Sequence, residues 1–213
     1  VLEDPRDGRV LGRQAEAAAN DSRILRAAME VMTSRPRASM AEVAAEAGVG
    51  VASLYRRFSS RDDLARQLAL FSMQSVEDQA TRALGEVDGD PWGAFLGFLA
   101  GAMDGGAGSM RALAGTFPAG EELNAAGRRL GDRMQELLTR CQDLGVVRRD
   151  ISGFDLLQFF EMLRAVHVTD GERTSGLRRR YLELLAPALR AGDAAPLSAP
   201  GPSWQEIVAV WNP

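Results

Sequence analysis

The sequence predicts an all-α fold of about nine helices, three forming a small N-terminal head with a helix-turn-helix and the rest a larger bundle. Three observations carry that expectation. Apolar residues recur three and four apart in segment after segment, which places them on one face of a helix. No convincing stretch alternates apolar and polar residues as a half-buried strand would. The segments are punctuated by Ser and Asp caps, glycines and prolines at helix boundaries. The chain has 213 residues, enough for one large domain or for a small and a medium one.

Residues 1–12 lack periodicity and read as a flexible tail. From about Gln14 to Thr33, Ile24, Leu25, Ala28, Met29 and Met32 take helical spacing, and Arg35-Pro36 stops the helix. Ser39 followed by Glu42 is a capping box for a short helix whose inner face is Val43, Ala44 and Ala47. Gly48 suits the left-handed turn that ends it, and Gly50 is a tolerable N-cap for the next helix. Leu54 and Phe58 sit four apart on that helix and face inward. A small residue at Ala44, a glycine at Gly48 and an apolar plug at Leu54 let two helices cross steeply over a short turn, the helix-turn-helix pattern. Val51, Ala52, Ser53, Tyr55, Arg56 and Arg57 are left for the outer face or its edges.

A helix is expected from Arg61 through Leu64, Leu68, Phe71 and Val76 to about Leu84, capped by Ser59 or Ser60, with Asp62 and Asp63 at its positive end. Asp90-Pro91 opens the next, which carries Trp92, Phe95, Leu96, Leu99 and Met103. After the break DGGAGS, a short helix covers Met110 to Thr116. A long one follows from about Glu121 to Leu144, ended by Gly145, with Leu123, Leu130, Met134, Leu137, Leu138 and Cys141 inward. Ser152 caps a helix rich in Phe and Leu, and the last long helix runs from about Glu172 to Arg190. Beyond Gly192 the chain is rich in Ala and Pro, until SWQEIVAVW regains helical apolar spacing and is positioned to pack back on the body.

Composition narrows the function. No run of about 18 apolar residues exists, so no membrane partner is expected. The polar start VLEDPRDGRV does not read as a secretory signal, and one cysteine, Cys141, fits the reducing, cytoplasmic setting that is expected. A Cys/His metal site needs several ligands at fixed spacings, which one histidine, His167, and one cysteine do not supply, and no metal or cofactor is expected. GEVDGDP lacks the ligand pattern of a calcium loop, and DGGAGS lacks the Lys-Ser/Thr of a phosphate loop. The net charge of −4 makes a general coat for nucleic acid unlike this chain, so any DNA contact must be local. Every basic residue is arginine, so charged phosphate contacts would come from guanidinium groups.

At SMAEVAAEAGVGVASLYRRFSSRDDL the sequence resembles the TetR family of bacterial transcription regulators, from about Ile24 to Leu64. LTRCQDLGVVRRDISGFDLLQFF resembles a subgroup common in actinobacteria. The resemblance implies a non-enzymatic homodimer that binds a palindromic double-stranded operator, usually represses, and is released by a small molecule held in the C-terminal domain. The expected division is a helix-turn-helix domain at 13–60, a ligand-binding and dimerisation domain at 61–192, and a Pro-rich tail with a possible short helix at 193–213. By that resemblance Val51, Ala52 and Ser53 lie near bases, while Tyr55 and Arg61 touch phosphates; Ser39 stands where threonine is frequent, and joins the expected DNA-binding set. Gly50, Arg57 and Arg61 depart from the common serine or threonine, histidine and lysine; charge is kept or increased.

The residue types suit the task. Val51, Ala52 and Ser53 are slim enough for the major groove, and Arg56 or Arg57 could take a guanine bidentately. Phe95, Leu99, Met103, Phe117, Met134, Leu138, Phe159 and Met162 are the candidates to contact an apolar effector, although such residues more often form core. The helices around Leu156–Val166 and Leu177–Leu189 are apolar around more than one stripe, which fits a four-helix seam between two chains. Leu156, Phe160, Leu163, His167, Leu177, Tyr181, Leu184 and Ala188 are the expected interface residues. The helix from Arg61 to Leu84 joins head to body and is the expected lever between effector and DNA. The alternative is a helical small-molecule-binding protein or enzyme with a vestigial helix-turn-helix; a third is a global, effector-free DNA binder.

Overall fold

The computed structural model describes residues 24–118, 120–168, 170–192 and 195–211. The expected tail at 1–12 and the helix start near Gln14 lie outside them. Among the described residues the chain is helical, without a ladder of strands. They fall into two compact units, one ending at Leu68 and the other beginning at Ala69.

The first unit contains α1 (24–34), α2 (Met40–Glu46) and α3 (Val51–Arg57), and the start of α4 (Arg61–Glu86). The capping box forms: the Ser39 hydroxyl accepts the Glu42 N–H at 3.3 Å, and the Glu42 carboxylate accepts the Ser39 N–H at 2.8 Å. α2 ends in a Schellman motif, with the Val49 N–H on the Ala44 carbonyl at 3.0 Å and the Gly48 N–H on Ala45 at 3.2 Å. That motif needs a left-handed residue, and Gly48 supplies it at φ 65°. Ser60 caps α4, its hydroxyl accepting the Asp63 N–H at 3.1 Å. The unit extends two turns into α4 because Leu64, Ala65 and Leu68 there are fully buried.

The second unit holds the rest of α4, then α5 (Pro91–Asp104), α6 (Gly120–Asp143), α7 (Gly153–Ala165), α8 (Gly171–Leu185) and α9 (Trp204–Trp211). α5 packs on α6 and α8, α6 on α7, and α7 on α8. Asp90 caps α5 by accepting the Gly93 N–H at 2.9 Å, with Pro91 at its first position. A second Schellman motif closes α6 at Gly145. The core is aromatic: Phe98 meets Phe160 edge to face at 6.0 Å between ring centres, and Phe95 stacks beside Phe98 at 6.5 Å.

Two expected elements change form. The helix over Met110 to Thr116 shortens to a 3-10 turn at Met110–Leu113. The last long helix stops at Leu185 and continues only as a 3-10 turn, Ala186–Leu189. Pro187 explains the second change, since it has no N–H for the α-helical bond and its ring crowds the preceding turn. The chain then pairs Val147 with Arg190 in an isolated antiparallel bridge, and the Arg190 guanidinium lies 5.0 Å from the Trp92 ring centre.

Candidate nucleic-acid interface and bundle cavity

α3 is only seven residues long, and its inner side is fixed by Leu54, with Phe58 just after it. The opposite side is therefore presented whole. Val51, Ala52, Ser53, Tyr55, Arg56 and Arg57 are all exposed, Tyr55 by 51% and Val51 by 39%. The Arg56 guanidinium donates to the Ser53 hydroxyl at 3.2 Å, and Arg57 lies over the Phe58 ring at 5.7 Å. Gly50 gives α3 no side-chain cap, which leaves its first N–H groups for another acceptor. Ser39, also exposed, spends its hydroxyl on the α2 capping box.

Arg61 is placed differently. Its guanidinium donates to the Ala38 carbonyl at 3.3 Å and to the Pro36 carbonyl, tying the start of α4 to the α1–α2 loop. A guanidinium carries five N–H donors, so this structural role leaves others for a phosphate. The sequence does not signal that tie, because the carbonyls lie more than 20 residues upstream.

The second unit contains a cavity of about 590 Å³ between α4, α6, α7 and α9. Its floor is buried and apolar: Val76, Leu123, Leu130, Met134 and Phe160. Its rim is polar and exposed, with Asn124, Arg128, Asp132 and Gln135 of α6. Within the lining Arg111 pairs with Glu161 at 3.0 Å, and Arg128 at the rim pairs with Glu121 at 2.6 Å. Burial raises the Glu161 carboxyl above its ordinary range, and Arg111 opposes that shift. The volume lies within the roughly 300–1,000 Å³ typical of small-molecule sites. A second hollow, near Leu84 and Arg140, is lined mainly by exposed polar groups such as Asp88, Glu136 and Asp143, and lacks such a floor.

Two glycines on α6, Gly127 and Gly131, line the cavity one helical turn apart. A β-carbon would meet nothing closer than 4.0 Å at Gly127 and nothing within 4 Å at Gly131, so neither is required for close packing. What they leave is space.

Several expected residues lie elsewhere. Of the eight effector candidates, Met134 lines this cavity. Phe95, Leu99, Met103, Leu138 and Phe159 are packed in the core cluster, and Phe117 is buried outside it. Met162 is 60% exposed on the outer side of α7. Among the interface candidates, Leu156, Phe160 and Leu163 are buried inside the single chain against their own core, so they have no area left for a partner. Leu177 is half-buried; His167, Tyr181, Leu184 and Ala188 are exposed. The exposed apolar residues of this region are Met162, Val168, Tyr181, Leu184 and Leu185. Cys141 is buried, which pushes its thiol up to about 11.

Among the described residues no helix is long and apolar enough to cross a membrane, and no group of three His, Cys, Asp or Glu could hold a metal ion.

Comparison with known proteins agrees with both units. The family model for bacterial regulatory proteins of the tetR family matches residues 24–68, and that for the C-terminal domain of SbtR-like transcriptional regulators matches residues 90–191. A search of curated proteins finds no match. Among solved structures, a TetR regulator of Streptomyces coelicolor is 23% identical with a TM-score of 0.56, over 80% of this chain and 98% of that one. A TetR regulatory protein of Mycobacterium vanbaalenii is 24% identical at 0.55, over 84% and 99%. The TetR-like regulator LfrR of Mycobacterium smegmatis, solved in complex with proflavine, is 22% identical at 0.54, over 77% and 95%. With its helix-turn-helix head and its helical C-terminal domain each matched by a model of that group, the chain belongs to the TetR family of bacterial transcriptional regulators, and its N-terminal domain is the DNA-binding one.

Proposed function

We propose that this chain is an effector-controlled repressor that binds a palindromic operator as a homodimer and leaves it when a small, mainly apolar molecule occupies the bundle cavity. The observation that carries the reading is the outer face of α3, where three small residues at the N-terminus precede Tyr55, Arg56 and Arg57. Small residues let a helix end approach base edges, and the two arginines can take guanine or phosphate. The cavity supports the second half of the reading: an apolar floor holds the body of the effector, and the Arg111–Glu161 pair receives a polar end. The proflavine complex of LfrR supports a flat, largely apolar effector class by analogy.

Release requires the effector to favour the DNA-incompetent form, typically by about 1–3 kcal/mol. α4 is the element through which the coupling would run, because it contributes Leu64 and Leu68 to the first unit and Ser72, Met73 and Val76 to the cavity. A tilt of α4 would change the spacing of two heads that must reach half-sites about 34–36 Å apart. The dimer seam is assigned to the exposed apolar side chains of α7 and α8.

The test is selection from random oligonucleotides with the purified protein, repeated for Tyr55→Ala and Arg57→Ala. A palindrome that both variants lose supports the reading. If no sequence is enriched at low salt, the head is not a specific reader and the proposal fails.

A further inference from the structure

We propose that the C-terminal helix α9 is a built-in lid of the bundle cavity, and that Ile207 contacts the effector bound there. The proposal rests on the cavity being the effector site, as argued above. Residues beyond 191 lie outside both family models.

The path of the tail is fixed by specific bonds. The Asp150 carboxylate, bound to Arg148 at 2.5 and 2.8 Å, accepts the Leu197 N–H at 2.9 Å. Arg148 also donates to the Ala195 carbonyl at 3.1 Å. Gly201 then passes so close to Asp155, the residue that binds the Ser152 N–H at the start of α7, that a β-carbon would fall 2.7 Å from its carboxylate. Pro196, Pro200 and Pro202 limit the conformations of this strap. Ser203 and Glu206 close a capping box of their own, with bonds of 2.7 and 3.3 Å, and α9 begins there.

α9 has eight residues, too few to hold a helix alone in water, so packing must sustain it. Ile207, half-buried, turns α9 to the cavity and joins Met73, Leu157 and Phe160 in its lining. About 590 Å³ remains with α9 in place. The helix therefore walls the space rather than filling it, and a bound apolar molecule would gain the Ile207 surface while α9 gains cover. Ligand and lid stabilise one another.

The experiment titrates the dye 1-anilinonaphthalene-8-sulfonate into the full chain, a chain ending at Pro202, Ile207→Glu and Gly127→Leu, following fluorescence and dissociation rate. Gly127→Leu fills the cavity from α6 and reports whether the dye sits there. The expected result is loss of binding in Gly127→Leu and weakening of about tenfold or more, with faster release, in both α9 variants. If Gly127→Leu binds the dye normally, the cavity is not the site, and both the effector reading and the lid fall. If Gly127→Leu loses the dye while both α9 variants bind it as well as the full chain, or better, the lid alone is overturned. The point variant keeps the conclusion independent of any damage done by truncation.

Discussion

Gly127 of α6 lies beside Met73 of α4, with 4.0 Å between the Met73 methyl carbon and the place a β-carbon on Gly127 would take. Glycine inside a helix costs roughly 0.5–1 kcal/mol relative to alanine. α6 bears that cost at Gly127 and again at Gly131, although neither position is crowded. Gly131→Leu should therefore raise thermal stability, by roughly 2–4 °C for a chain of this size, while closing the cavity to apolar dyes. Calorimetry and dye titration on one preparation check both halves. A destabilised variant would mean that the space at Gly131 serves packing and not a ligand.

Helices were legible wherever a local device marks their ends, as at Ser39 with Glu42, Asp90 with Pro91, and Gly48 and Gly145. The outer face of α3 was legible because a seven-residue helix with Leu54 inward has only one other side. The cavity was not, because Phe and Met counts point to bulk, whereas the space comes from what α6 lacks and from a tail residue far along the chain. The two glycines four apart in a long helix were the available signal. The faces of α7 were equally hidden: Phe160 and Met162 look alike in sequence, and only the position of Phe98 on α5 decides that Phe160 is the one enclosed. Pro187 could have marked the end of α8.

Tyr55 and Arg61 should fail in distinguishable ways. Tyr55 is exposed, so Tyr55→Ala should leave stability within about 0.5 kcal/mol while weakening operator binding. Its hydroxyl is neutral and displaces no counterion from the duplex, so the salt dependence should keep its slope. Arg61→Ala removes a cation and two bonds to loop carbonyls at once. It should lower the melting temperature of the head and, where Arg61 also meets a phosphate, reduce the slope by about 0.9. Affinity measured across a salt series, beside thermal melts, separates the two. An unchanged slope for Arg61→Ala would leave it a purely structural residue.

Acid should loosen the head through Glu42. Its carboxylate accepts from the Ser39 backbone and hydroxyl, which hold its pKa below the ordinary value, with a smaller contribution from Arg35. A carboxyl depressed in the folded state adds stability above its unfolded pKa of about 4.3, and that contribution fades as pH falls through the folded value. Glu42→Gln keeps a capping-box side chain without the titration, so it should flatten the acid limb of the stability curve. Ser39→Ala removes the acceptor for the Glu42 N–H as well, and should cost about 0.5–2 kcal/mol at neutral pH. Chemical denaturation from pH 3 to 7, spanning the carboxylate range, checks both. A parallel acid limb in Glu42→Gln would assign the sensitivity to another group.

Leu184 and Phe160 offer the sharpest test of the proposed seam, because both were expected there and only one is available. Leu184 is 65% exposed on α8, whereas Phe160 is wholly buried against Phe98. Leu184→Glu places a charge where a partner helix would have to desolvate it, and adds nothing unfavourable to an isolated chain. It should yield a folded monomer by light scattering, with a melting temperature that no longer depends on protein concentration. Phe160→Ala instead empties core volume and should cost about 3–5 kcal/mol at any concentration. If Leu184→Glu remains a dimer as tight as the parent, the seam lies on another face, and Met162 and Leu185 lose their assignment with it.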